Sequence, residues 1–162
     1  MKVIDNFLPD DVFETLNKKV MMDTEWRFVD GVAFEDNKKQ DLTNNYYVHH
    51  AYKYDVPSSV MFDELQPFYR DEKLGLKSML RLALNAYPRT PEIYEHEYHY
   101  DFFFKHKGAI LYLNTCDGYT FAEGQKVQSV ANRVLLHDPS KLHHSTTTTN
   151  ATRRVICNLN YF

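Results

Sequence analysis

The sequence predicts a mostly β fold, a sandwich or barrel of short strands, with helices confined to its N-terminal part. Three observations carry this expectation. After Gly75 the chain breaks into short alternating runs, KSMLRLALNAY, GAILYLN, YTFAE, KVQSV, RVLLHD and RRVICNLNYF. Turn signals separate them: Pro88 and Pro91, Asp117-Gly118, Glu123-Gly124 and Asp138-Pro139. Short strands at such spacing build sandwiches and barrels. Finally, 15% of the residues are aromatic, and Tyr and Phe suit a half-buried pleated surface.

Taken in order, VIDNFLPDDVFETLNKKVMMD reads as a short strand and then a helix. Pro9, Asp10 and Asp11 suit the helix entry, because Pro needs no N–H there and acids favour the positive end. Val12, Phe13, Leu16 and Val20 then fall on one stripe. Residues 24–54 are polar and aromatic and predict loop with short strands, EDNKKQD being a solvated turn. Residues 58–68 predict a second amphipathic helix through Val60, Met61 and Leu65. In KSMLRLALNAY, Leu80, Leu82, Leu84 and Ala86 share one face, and Arg81, Ala83, Asn85 and Tyr87 the other. STTTTN, at 145–150, reads as a short loop. A length of 162 residues suits one domain, with 1–75 as helical and loop support and 76–162 as the β core.

Composition removes several function classes. A net charge of −3 gives no basic field, so nucleic acid is not favoured as a partner. No apolar run approaches about 18 residues, so no membrane span is expected. Neither GxGxxG nor a P-loop is present. The two cysteines form no CxxC pair and MKVIDNFLPDD has no apolar signal segment, so a reducing cytoplasm is the expected home.

The chemistry concentrates in YEHEYHYD, residues 94–101. Three tyrosines in eight residues favour a strand. In a strand Glu95, Glu97, His99 and Asp101 face one way, and His96, Tyr98 and Tyr100 the other. His99 and Asp101 would then point together, about 6.6 Å apart along the strand. A His and an acid at this spacing are two-thirds of the facial triad that holds non-haem iron with open positions. The third ligand must be a distant histidine, and HDPSKLHH offers His137, His143 and His144. An exposed strand whose acids balance its histidines is the plain alternative. At the other end of the chain Arg154, Ile156, Asn158 and Asn160 share a strand face. An inward Arg with polar companions makes sense if it grips an anion, since Arg binds carboxylate through paired bonds. It would otherwise be a solvated strand end beside Arg153. Tyr112, between Leu111 and Leu113, reads on its own as a core tyrosine.

From residue 80 onward the sequence resembles the 2-oxoglutarate- and Fe(II)-dependent oxygenases, in particular small single-domain prolyl-4-hydroxylase-like members of phage and bacterial type. The resemblance lies in LALNAYPRTPEIYEHEYHYD, GAILYLNTCDGYTFAEGQKVQSVANRVLLHD and KLHHSTTTTNATRRVICNLNYF, in the family's order. It implies a double-stranded β-helix, a jelly-roll of cupin-like form, with N-terminal helices. It implies iron at His99 and Asp101. The third ligand becomes His143, six residues after His137, where the family usually has Phe; His144 then fills the position of a small residue. Arg154 and Tyr112 would hold the far carboxylate of 2-oxoglutarate, with Tyr87 and Asn158 near the cosubstrate. The implied activity couples decarboxylation of 2-oxoglutarate to succinate and CO2 with O2-dependent hydroxylation of a substrate: a peptide, an amino acid or another small molecule. Asp101 favours hydroxylation, because the related halogenases lack that acid. The competing readings are a non-catalytic β-helix module that binds a ligand or partner, and a cupin-like enzyme with another metal and no cosubstrate.

Overall fold

The structure is a computed structural model and describes residues 1–31 and 43–162; the expected turn EDNKKQD lies outside the described residues. β1 (Lys2–Ile4) leads to α1 (Asp10–Asp23), followed by β2 (Arg27–Asp30), β3 (Asn45–Lys53) and the short β4 (Val56–Pro57). α2 (Met61–Glu64), α3 (Gln66–Tyr69) and a 3₁₀ turn, Glu72–Leu74, complete the N-terminal part. The remainder is all strand: β5 (Met79–Pro88), β6 (Lys107–Tyr112), β7 (Tyr119–Ala122), β8 (Gln125–Gln128), β9 (Val134–His137), β10 (His143–Ser145) and β11 (Arg153–Tyr161).

The strands form two antiparallel sheets. The large one has the order β1-β9-β6-β11-β5-β3-β2, with β4 on β3; the small one is β10-β7-β8. The last strand lies between β5 and β6, so spatial neighbours are distant in sequence. Both faces of the large sheet are covered. On one, α1 packs Phe13, Leu16 and Val20 with Leu82, Leu84, Leu111, Val155, Cys157 and Leu159. On the other, facing the small sheet, lie Tyr87, Ile110, Tyr112, Leu135 and Ile156 with Ala122 and Val127. The period-two split of β5 is therefore real: Leu82, Leu84 and Ala86 meet the helices, whereas Arg81, Ala83, Asn85 and Tyr87 line a cavity between the sheets. Glu123 and Gly124, both at positive φ (49° and 78°), make the two-residue turn between β7 and β8.

Three expectations need correction. The helix over 58–68 is broken into α2 and α3, and Val60 is exposed. Pro67 lies at the start of α3 and has no N–H to continue the ladder, so the chain restarts there. YEHEYHYD is not a regular strand. It touches the segment 143–146 only through bridges Glu95↔Thr146 and His99↔His143. Four steps on one side oppose three on the other, so one residue is bulged out and strict alternation fails. His96 is buried as a result, its N–H bonded to the Ser145 carbonyl at 3.0 Å. The expected loop 145–150 starts one residue late, since Ser145 ends β10 (His143–Ser145), which pairs with β7.

STTTTN is irregular but clamped. Asp117 accepts hydrogen bonds from the hydroxyls of Thr148 and Thr149 and from the Thr149 N–H, while the Asp117 N–H donates to Asn150 Oδ1. Burial alone would raise the Asp117 carboxyl, but these donors outweigh it and pull it down to about 2. A depressed carboxyl contributes stability above its unfolded value near ~4 and loses it as pH falls through the folded one. Asp117→Ala should therefore cost about 1–3 kcal/mol near neutral pH. Denaturant melts should show that gap closing as pH drops from about 4 toward 2.

Candidate metal and anion site

A cavity of about 280 Å³ lies between the two sheets. β5 and β11 supply its floor through Arg81, Ala83, Asn85, Tyr87, Ile156 and Asn158; β10 and the irregular segment before β6 supply His143, His99, Tyr100 and Asp101. β3 adds Tyr46, Val48 and His50, so part of residues 24–54 walls the cavity.

His99, Asp101 and His143 converge there, each offering a ligand atom within 4.8 Å of the others. His99 Nδ1 lies 3.2 Å from the Glu97 carbonyl oxygen, and His143 Nδ1 lies 2.9 Å from that of Lys141. A carbonyl oxygen only accepts, so each Nδ1 carries a proton, which leaves Nε2 as the nitrogen available to a metal. Such a partner on the far nitrogen is how metal-bound histidines are oriented. Asp101 has a side chain 6% exposed and a salt bridge to Arg81 Nη2 at 2.7 Å. Burial alone would raise its carboxyl; Arg81, His143 and the Asn160 hydrogen bond outweigh this and hold it well below the usual carboxylate range. Burial lowers the pKa of His143 despite the attraction of Asp101, which favours the neutral imidazole a metal needs.

The neighbouring histidines stand outside this group. His144 is buried and also borders the cavity, but its ring is stacked on Phe121 and edge-on to Tyr98, away from the ligand group. His96 donates through Nδ1 to the Ser145 carbonyl and packs against Tyr87 and Tyr94. His137 is edge-on to His143, with both ring nitrogens buried and unpartnered. Desolvation pushes its pKa down to about 3, so it is neutral packing beside His143.

Deeper in the fold, Arg154 is 0% exposed. Its guanidinium lies 5.4 Å from the Tyr87 ring centre and 5.5 Å from that of Tyr112. It donates to Thr120 Oγ1 at 2.8 Å and to the Thr146 carbonyl at 3.3 Å. Its Nε has no partner, and no ion pair is recorded for it among the described residues. Asn158 Oδ1 and the Tyr112 hydroxyl are buried without a well-formed hydrogen bond, although the hydroxyl lies close to Thr120 and Arg154. Burial raises the Tyr112 pKa, the nearby Arg154 opposing it. A buried cation without a counter-ion is costly, so this pocket suits an anion. Arg153 points the other way and donates to the Met21 carbonyl at 3.1 Å.

Gly118 makes room for Arg154. A Cβ there would lie 2.4 Å from the Thr147 carbonyl oxygen and 2.6 Å from Arg154 Cδ. Gly118→Ala should push the arginine stem aside and lower stability by about 1–3 kcal/mol, read as a drop in melting temperature.

Sequence reasoning assigned no role to Arg81 or Asn160, and it expected residues 24–54 to shape the entrance without naming which of them would. The parity of NYYVHHAYK, with Tyr46, Val48 and His50 in step, was the available signal for the β3 wall.

No protein-family model matches the chain, and no curated protein matches its sequence. Solved structures do match. A prolyl-4-hydroxylase from Pseudomonas putida aligns over 99% of this chain and 91% of its own, with TM-score 0.60 and 16% identity. A Trichoplax adhaerens prolyl hydroxylase, in complex with a hypoxia-inducible-factor peptide fragment, aligns over 99% and 82%, with TM-score 0.69 and 13% identity. The viral collagen prolyl hydroxylase of Paramecium bursaria Chlorella virus-1, in a 2-oxoglutarate complex, aligns over 98% and 93%, with TM-score 0.61 and 14% identity. At such identities the likeness is one of fold: the chain has the double-stranded β-helix of these proteins, as the sequence resemblance led us to expect.

Proposed function

We propose that this protein is an Fe(II)- and 2-oxoglutarate-dependent oxygenase that hydroxylates its substrate. One observation carries the reading: a His-Asp-His set lines the cavity, and the buried Arg154 guanidinium lies directly behind it, against the lining residues Thr120 and Tyr87. The donor set fits iron, with two imidazoles and one carboxylate on one side and open space on the other. The unpaired Arg154, with the Tyr112 hydroxyl beside it, fits the far carboxylate of 2-oxoglutarate. The bound iron, 2-oxoglutarate and O2 supply the oxidative chemistry, yielding succinate, CO2 and a hydroxylated product.

The chain's own residues do the rest. His99, Asp101 and His143 would hold the metal through two imidazoles and a carboxylate. Arg154 fixes the cosubstrate by charge, and Tyr112 donates its hydroxyl to the same carboxylate. Tyr87 covers the guanidinium and keeps water from it, while Asn158 offers a polar contact between the metal and the anion pocket. The remaining wall, Tyr46, His50 and Tyr100, is left for the substrate. A peptide is one candidate, because the Trichoplax protein of like fold is seen with a peptide; an amino acid or another small molecule also fits a cavity of about 280 Å³. Among the described residues no helix is long and apolar enough to cross a membrane. A reducing cytoplasm suits buried, unpaired Cys116 and Cys157.

The test is succinate formation from 2-oxoglutarate in air with iron(II) and ascorbate. Iron-dependent succinate that disappears in His99→Ala supports the reading. A protein that forms none, with or without candidate substrates, would be a binding module instead.

A further inference from the structure

One buried polar network ends on a proposed ligand. Asn160, 0% exposed on β11, lies opposite Arg81 in the β5–β11 register. Its Oδ1 accepts from Arg81 Nε at 3.0 Å. Its Nδ2 donates to Asp101 Oδ2 at 2.7 Å and to His106 Nε2 at 3.1 Å. These partners fix the amide, since Arg only donates and a carboxylate only accepts. His106 is fixed too: its Nδ1 lies 2.9 Å from the Phe104 carbonyl, so Nδ1 carries the proton and Nε2 accepts. Arg81 closes the ring through Nη2 to Asp101 Oδ1 at 2.7 Å.

Both oxygens of Asp101 are therefore gripped from two paired strands, while the backbone of Asp101 itself is irregular. Its own N–H is tied only to the Pro139 carbonyl, at 2.9 Å. A metal ligand on irregular backbone needs its orientation supplied from elsewhere, and rigid strands supply it best. Parity places Asn160 two residues beyond Asn158, yet both its amide atoms are engaged by protein partners and it is fully buried outside the cavity lining, so it does not meet cosubstrate or substrate.

We propose that Asn160, braced by Arg81 and His106, is a positioning residue that sets the Asp101 carboxylate for the metal before the metal binds. The proposal rests on the oxygenase reading in so far as that reading makes Asp101 a ligand. Its role is orientation: Asn160 is neutral and adds no charge at the metal. Arg81 shares the task through its fork, which a lysine of equal charge cannot reproduce.

Cobalt(II) is the probe, titrated anaerobically into the full chain and followed by its visible ligand-field bands. Asn160→Leu should weaken cobalt binding by about 10–100-fold and alter the spectrum of the saturated protein. His106→Phe should shift both in the same direction by less, and Arg81→Lys should change the spectrum although charge is kept. A merely structural Asn160 would lower the melting temperature and leave the spectrum at saturation unchanged, which overturns the proposal. If Asn160→Leu does not fold, His106→Phe decides on the same criteria. The two readings fail differently. Wild-type protein that takes up no cobalt, or takes it up undiminished in His99→Ala, sinks the oxygenase reading and this proposal with it. Uptake that His99→Ala abolishes, while the Asn160 and His106 variants match wild type, sinks this proposal alone.

Discussion

His99→Ala and Asp101→Ala should each weaken iron(II) binding by more than about 100-fold and abolish 2-oxoglutarate turnover. Loss of a group that merely orients a ligand already costs about 10–100-fold, and these side chains would be ligands themselves. His143→Ala belongs with them. His96→Ala should leave metal affinity near wild type, because its Nδ1 is spent on Ser145 and its ring on Tyr87 and Tyr94. His144→Ala should likewise retain the metal and lose stability instead, since its ring is stacked on Phe121. Calorimetric titration of each variant checks this ordering. Wild-type affinity in Asp101→Ala, or loss confined to His144→Ala, would mean that the metal, if any, sits elsewhere.

Arg154→Ala should weaken 2-oxoglutarate by about thirtyfold or more, because removing one partner of a buried charged pair typically costs ~2–5 kcal/mol. Tyr112→Phe should cost less, about 1–3 kcal/mol for one hydrogen bond to a charged group. Arg153→Ala should change little, as its guanidinium reaches the Met21 carbonyl on the helix side. Stability separates this from a structural role. Without cosubstrate Arg154 is a buried charge with no counter-ion, so Arg154→Met should keep or raise the melting temperature. A large loss of stability together with unchanged 2-oxoglutarate affinity would make Arg154 a structural residue. Affinities are measured anaerobically with iron present.

How much could be read from the residues alone differs by region. The alternation in β5 and β11 is regular, so parity grouped Arg81 with Tyr87 and, separately, Arg154 with Asn158 and Asn160; the β5–β11 register then sets the two groups side by side between the sheets. Parity failed in YEHEYHYD because a bulge is set by where the partner strand offers bonds, here Thr146 and His143, and neither can be seen from within the segment. His99 and Asp101 nonetheless meet, since the bulge lies before them. Choosing His143 over His144 needed the family resemblance; in the fold, His143 joins His99 and Asp101 while the His144 ring is spent on Phe121. The Asn160 network stayed hidden because Arg81, Asp101, His106 and Asn160 span 79 residues and no local pattern links them. Pro67, by contrast, was a visible helix breaker whose effect the amphipathic stripe of 58–68 obscured.

The central claim is that one cavity binds iron(II) and 2-oxoglutarate together. Anaerobic addition of 2-oxoglutarate to the iron(II)-loaded protein tests it most directly, by the weak visible charge-transfer band of an iron-chelated 2-oxo acid. The account predicts a band that saturates at one equivalent of iron, is absent in Asp101→Ala, and requires much more 2-oxoglutarate in Arg154→Ala. An iron-loaded protein that shows no band at any 2-oxoglutarate concentration, or a band indifferent to both substitutions, would contradict it.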